Sequence, residues 1–89
     1  MKVIYTARAG RDFIRLRDFI RKKNPQAAQK ASHQLKKNIQ SLVEQPQMGA
    51  PVEELEDFRE LIARDYIVRY RFLPDEIVIL NICHGKEDR

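Results

Sequence analysis

Three arginines and a histidine in the second half of this 89-residue chain, Arg59, Arg69, Arg71 and His84, have the means to act on a phosphodiester. Cleaving RNA through its 2′-hydroxyl needs a base, an acid for the leaving oxygen, and cations against the charge that builds on phosphate. The guanidinium groups would bind phosphate, and the imidazole would serve as acid or base. Glu53 or Glu54 would take the proton. Each group also has a plainer use. Arg69 and Arg71 share one face of a strand, where pairing with Glu60 or Asp65 is a surface arrangement worth only ~0–1 kcal/mol. His84 falls by parity with Leu80 and Ile82 at a strand end, the setting of a partly buried histidine with its hydrogen bonds satisfied. Tyr66 and Tyr70 read as core, and Cys83 as a small hydrophobe. One cysteine and two histidines, His33 and His84, give no metal-ligand spacing, so neither a metal nor another cofactor is expected.

Charge marks a second set of residues. The net charge is +4, yet residues 1–40 hold eleven Lys or Arg against Asp12 and Asp18, while residues 41–89 hold six against eleven Asp or Glu. A cationic N-terminal half attracts nucleic acid or an acidic polypeptide. Within it Ile14 lies among arginines on a helix face that folding does not need to bury, with Arg11, Arg15 and Phe19 beside it. These four residues are expected to meet a partner.

The elements that must position both sets follow from periodicity. Lys2 to Tyr5 has the β-branched and aromatic residues of a short strand, and Thr6 offers a helix N-cap. Ala9, Phe13, Leu16 and Ile20 then recur at spacings of four, three and four, which stacks them along one face of a helix reaching Lys23. Asn24-Pro25 starts a second helix, since Asn caps the exposed amides and Pro at the first position loses only an N–H without a partner. Its apolar face is Ala28, Ala31, Leu35, Ile39, Leu42 and Val43. The short side chains of Ala27, Ala28 and Ala31 let the first helix approach closely near the turn. Pro46, Gly49 and Pro51 break the chain into loop, Gly49 by permitting positive φ.

Beyond the acidic run Glu53 to Asp57, Phe58 to Ala63 reads as a strand and Arg64-Asp65 as a tight turn. Tyr66 to Leu73 alternates aromatic and basic residues with a period of two, and Ile77 to Cys83 is a nearly continuous apolar strand, consistent with a central place covered on both sides. The order is β-α-α-β-β-β, an α+β fold: an antiparallel sheet with an N-terminal helical hairpin packed on one face. Loops of two to four residues force the last three strands into a meander. Length allows one domain, residues 1–89. The longest runs free of charge fall far short of the ~20 apolar residues that span a bilayer, and the arginines of residues 8–23 exclude a secretory signal. A cytoplasmic place and no membrane partner are expected.

With that order in place, several landmarks fall in sequence: Asn24-Pro25 with Ala27-Ala28, Pro46 with Met48-Gly49 and Pro51-Val52, Phe58-Arg59-Glu60-Leu61, Tyr66-Ile67-Val68-Arg69-Tyr70-Arg71, and Ile82-Cys83-His84-Gly85-Lys86-Glu87-Asp88. Across nearly its whole length the chain resembles the RelE/ParE toxin superfamily, and within it the ParE-like plasmid-stabilisation branch. The resemblance implies a bacterial toxin encoded beside a cognate antitoxin, whose C-terminal segment wraps the toxin and whose N-terminal part often binds operator DNA. It makes Arg11, Ile14, Arg15 and Phe19 the expected antitoxin surface, met by an acidic amphipathic segment. ParE-like members are associated with poisoning DNA gyrase, whereas RelE-like members are ribosome-dependent endoribonucleases that cut mRNA. One scaffold serves both, so the residues must decide. Where the RelE-like nucleases supply lysines that meet RNA, this chain has the carboxylates of Glu53 to Asp57, which repel a phosphate backbone. The expectation is a gyrase poison without chemistry of its own. The alternative, an endoribonuclease, would use Arg59, Arg69, Arg71, His84 and Glu54.

Overall fold

The computed structural model of the chain describes residues 1–52, 55–64 and 66–85. Its N-terminal half is organised by Asn24, which joins α1 (Ala7–Lys23) to α2 (Pro25–Gln40). The Asn24 N–H donates to the Ile20 carbonyl (2.9 Å) and ends α1, while Asn24 Oδ1 accepts from the Gln26 and Ala27 N–H groups (both 3.2 Å) and opens α2. One residue satisfies orphan groups of both helices, so the two fold back as the predicted hairpin. Ala9 and Leu16 of the predicted stripe are buried, with Phe13 and Ile20 packed against them, and α2 buries Ala28, Leu35 and Ile39. A 3-10 turn at Ser41–Val43 carries Leu42 into the same core.

Five strands form the sheet: β1 (Lys2–Tyr5), β2 (Ala50–Val52), β3 (Leu55–Ala63), β4 (Tyr66–Phe72) and β5 (Glu76–His84), in the order β1-β5-β4-β3-β2. The α+β class, the helical hairpin and the β3-β4-β5 meander are as expected. The wholly antiparallel sheet is not: β1 runs parallel to β5, because the hairpin between them is the long crossover that a parallel neighbour requires. β2 adds an edge strand inside the predicted loop, and Pro51 is tolerated there since an edge leaves an N–H without a ladder partner anyway.

Alternation along β4 sorts the two sets as predicted. Tyr66, Val68 and Tyr70 are buried on the helix side, and Arg69 and Arg71 are exposed on the open side. β5 does lie centrally, but Val78, Leu80 and Cys83 are only half-buried, since no layer covers the outer face of the sheet.

One irregularity in β5 changes the expected parity of its C-terminal end. Arg69 pairs with Asn81 and Tyr70 with Ile79, which leaves Leu80 as an additional residue in β5. Ile77 and Ile79 face the helices before this bulge, and Ile82 and His84 face them after it. His84 therefore shares a face with Ile82, as expected, and not with Leu80. Helix α1 and its N-cap Thr6 add side-chain bonds to β5 on either side of the bulge. Thr6 Oγ1 donates to the carbonyls of Ile79 (2.8 Å) and Leu80 (3.1 Å), the Ile82 N–H donates to Asp12 Oδ2 (3.0 Å), and Arg15 Nη2 donates to the Ile82 carbonyl (3.4 Å).

Candidate functional site

The four residues expected to meet a partner are brought together. Arg11, Ile14, Arg15 and Phe19 line a concavity of ≈ 590 Å³ on α1, joined by Asp18 and Lys22. Their spacing of three, one and four positions puts them on one helical stripe. Ile14 is 52% exposed, as its place opposite the core stripe predicted. Asp12 is held by Arg15 (3.2 Å) and Arg8 (4.0 Å), and Asp18 by Arg21 (2.8 Å) and Arg17 (3.9 Å). Both acids of the helix are thus already matched by cations, and Arg11 and Lys22 form no ion pair among the described residues. The concavity presents an apolar floor inside a positive field.

Among the described residues, those proposed for phosphodiester chemistry are divided between the two faces of the sheet. Arg69 and Arg71 stand on the open face, where Arg69 Nε meets Glu60 Oε2 at 2.9 Å and Arg71 Nη2 meets Asp57 Oδ2 at 3.6 Å. The expected partner Glu60 is confirmed for Arg69, whereas Asp65, the alternative, lies outside the described residues, as do Glu53 and Glu54. Arg59 belongs to the helix side. Its Nη1 donates to the backbone carbonyls of Gly49 (2.7 Å) and Gln47 (3.3 Å). His84 is also on that side and only 7% exposed, edge-on to Tyr66 (5.3 Å between ring centres) and tilted against Phe19 (5.9 Å). Arg59 pairs with Tyr70 and His84 with Tyr66, four residues apart on β4, so their backbones are separated by roughly 13 Å along the strand. The Arg59 guanidinium is taken up by the loop carbonyls, and the His84 ring by Phe19 and Tyr66.

A polar cluster not foreseen from the residue pattern sits where Arg59 ends. The fully buried Tyr70 donates its phenol proton to the Pro46 carbonyl (2.6 Å) and accepts from the Gly49 N–H (3.0 Å). Burial raises the Tyr70 hydroxyl above its ordinary value, against the lowering pull of the Gly49 N–H and the Arg59 charge. Gly49 does not have the positive φ expected of it. Glycine is needed for close approach: a Cβ there would lie 2.7 Å from Tyr70 Oη and 2.9 Å from the Glu60 carbonyl. Tyr70 and Arg59 together fasten the loop between α2 and β2. The described residues contain no cluster of His, Cys, Asp and Glu able to hold a metal, and no helix among them is long and apolar enough to cross a membrane.

Comparison with known proteins agrees with this fold. The family model described as the ParE toxin of type II toxin-antitoxin system, parDE, matches residues 3–89. Toxin RelE1 of Caulobacter vibrioides is 33% identical over 98% of this chain and 96% of its own, and Toxin RelE3 of the same organism is 31% identical over 92% and 91%. A chain of the chromosomal ParDE TA system from P. aeruginosa superposes with a TM-score of 0.82 over 97% of both chains at 24% identity. A chain of the toxin-antitoxin complex RelBE2 from Mycobacterium tuberculosis gives 0.67 over 93% of this chain and 95% of that one, at 23% identity. These two share the fold. Matched along nearly all of its length, the chain belongs to the ParE toxin family of type II toxin-antitoxin systems, within the RelE/ParE superfamily.

Proposed function

We propose that this chain is the toxin of a type II toxin-antitoxin pair in the bacterial cytoplasm, and that it acts by binding DNA gyrase without any chemistry of its own. The observation that carries the reading is the scatter of the nuclease candidates. Arg69 and Arg71 face outward and are paired with acids, Arg59 holds a loop, and His84 is buried at the other end of β4. Transition-state stabilisation requires such groups to be preorganised around one reacting atom, and these are not.

The cognate antitoxin holds the toxin silent through the α1 concavity. An acidic amphipathic segment would place an apolar side chain against Ile14 and Phe19 and carboxylates near Arg11 and Arg15. An Arg11→Glu change should weaken that complex about tenfold at low salt and less at high salt. Arg15 is the less clean probe, because it also bonds the Ile82 carbonyl. Any operator binding by the pair would belong to the antitoxin.

Purified protein in micromolar excess over gyrase should block DNA supercoiling and leave mRNA intact in induced cells. The second reading is mRNA cleavage on the ribosome, supported by the RelE names of the relatives and by the shared face of Arg69 and Arg71. It requires an Arg69→Ala, Arg71→Ala double variant to lose toxicity with transcripts cut only in the parent. Toxicity retained in that variant, with supercoiling inhibited, rejects it. Growth unaffected by forced expression would leave a family member that binds its antitoxin and nothing else.

A further inference from the structure

The helical hairpin covers one face of the sheet and leaves the other to solvent. On that outer face Ile62, Ile67 and Cys83 stand in register on three neighbouring strands and make one apolar row. Ile62 is 74% exposed, the most of any large hydrophobic among the described residues, and Ile67 and Cys83 are half-buried beside it. Ile4 and Val78, paired across β1 and β5, add a second apolar spot toward the far end of the same face. The fold gives these side chains nothing to pack on, and a contiguous apolar patch of this kind marks a contact surface.

The charges around the row decide what the contact is with. Among the described residues this face carries Lys2, Arg69 and Arg71 against Asp57, Glu60 and Glu76, three of each sign. Glu60 already meets Arg69, and Asp57 meets Arg71. Nucleic acid or an acidic peptide gains little from so balanced a surface and is drawn to the cationic helices instead. A balanced face is complementary to its own image, which is the condition for a two-fold contact between identical chains.

We propose that the chain pairs with a second copy of itself, outer sheet face against outer sheet face. A two-fold axis running along β4 lays the row of Ile62, Ile67 and Cys83 on the same row of the second copy. It also brings Glu60 over Asn81 of the second copy, whose amide donates to a carboxylate. Strands ~4.8 Å apart and up to about nine residues long give the face roughly 400–500 Å² in projection, so two copies bury about 1,000 Å², the lower bound of a specific contact. A contact of that size is weak and depends on concentration. Pairing covers Arg69 and Arg71, so any activity that needs them belongs to the single chain. The proposal stands apart from the choice of target and from the antitoxin surface on α1.

The test is sedimentation equilibrium of the purified whole chain alone, from about 1 μM to about 500 μM, the range in which so small an interface fills. The parent should pass from a single chain to a dimer plateau. Ile62→Lys should weaken pairing about tenfold or more and melt close to the parent, because its side chain is already mostly in water. Ile14→Lys, the same change at a half-exposed site on the helical hairpin, should pair within about twofold of the parent. Glu60→Arg and Arg69→Glu should each pair more weakly alone and recover when mixed, since their faces then carry opposite excess charge. Cys83 is the only cysteine and reports from inside the contact: its reaction with excess maleimide should slow as the parent is concentrated, and not in Ile62→Lys. A parent that stays single throughout overturns the proposal, as does association that runs past the dimer without a plateau. Equal losses in Ile14→Lys and Ile62→Lys, or dimers whose Cys83 reacts as fast as in the single chain, would place the contact elsewhere and overturn it too.

Discussion

The two ends of β4 use arginine in opposite ways. At the Tyr70 end, Arg59 donates to two loop carbonyls and closes a cluster in which phenol, amide and guanidinium all have partners. At the Tyr66 end, Arg64 sits in a left-handed turn on the rim of a groove and pairs with nothing among the described residues. The first end has its polar groups turned inward and fixed. The second holds its cations out toward solvent at a cost in backbone strain. Partnered polar groups at one end and backbone strain at the other decide where a substitution lowers stability and where it raises it.

The largest effect that separates the two ends is expected at Gly49. Gly49→Ala forces a methyl group against Tyr70 Oη and the Glu60 carbonyl, neither of which can retreat without breaking the cluster. It should destabilise the chain by about 3 kcal/mol in urea unfolding, combining overpacking with lost hydrogen bonds. Arg64→Asn should move stability the other way by about 1 kcal/mol, through relief of the left-handed arginine. Equal and small effects at both positions would erase the contrast.

Next in size is the bond between helix and bulge. Asp12→Ala leaves the Ile82 N–H in a partly buried place without its acceptor, which should cost about 2 kcal/mol and expose that amide to hydrogen exchange. Asp12→Asn keeps an acceptor oxygen and should recover about half of the loss. An Ile82 amide still protected in Asp12→Ala would mean that the bulge holds itself.

These residues also show how far the sequence could be read. The helical hairpin was legible because Asn24-Pro25 and the four-three-four spacing from Ala9 depend only on neighbours in the chain. The alternation of β4 was legible for the same reason, and with it the outward aim of Arg69 and Arg71. The exposure of Ile14 among arginines followed from the same spacing, since a residue off the core stripe must point outward. What local pattern cannot carry is a bond across the fold. Asp12 reads as a helix-surface acid beside Arg8 and Arg15, and nothing near it says that its carboxylate meets the N–H of Ile82, seventy residues on. The bulge at Leu80 is equally silent, so strict parity misplaced Leu80 relative to His84. The direction of β1 depended on which strand it would meet, and Gly49 on the arrival of Tyr70 from β4.

A smaller effect is expected with pH, and its sign follows from the Tyr70 cluster. Burial raises the Tyr70 hydroxyl above 10.0, so the folded chain keeps a proton that the unfolded chain gives up. That contribution is complete below pH 10 and is lost as pH rises through the folded value. Urea midpoints measured between about pH 9 and pH 11 should fall in the parent and fall less steeply in Tyr70→Phe. Tyr5, also raised by burial, adds a share of the same sign that the variant retains. A parent and variant with parallel slopes would show that the phenol is not held by the cluster.

The smallest effect should come from the open face, and its smallness is informative. Glu60→Gln removes the carboxylate that meets Arg69 on the exposed side of the sheet, at 2.9 Å but with the Arg69 side chain half exposed. Water screens such a pair, and the expected change is ~0–1 kcal/mol. The same change frees a guanidinium beside Arg71 without altering the sheet, which makes it a direct probe of the two proposed activities. A gyrase-binding toxin that docks through its helices should be unaffected in supercoiling inhibition. A nuclease whose phosphate-binding arginine is held back by Glu60 should cut mRNA faster in Glu60→Gln, because the competing carboxylate has gone while the cation remains. Faster transcript loss on induction of this variant would turn the proposed target from gyrase to the ribosome.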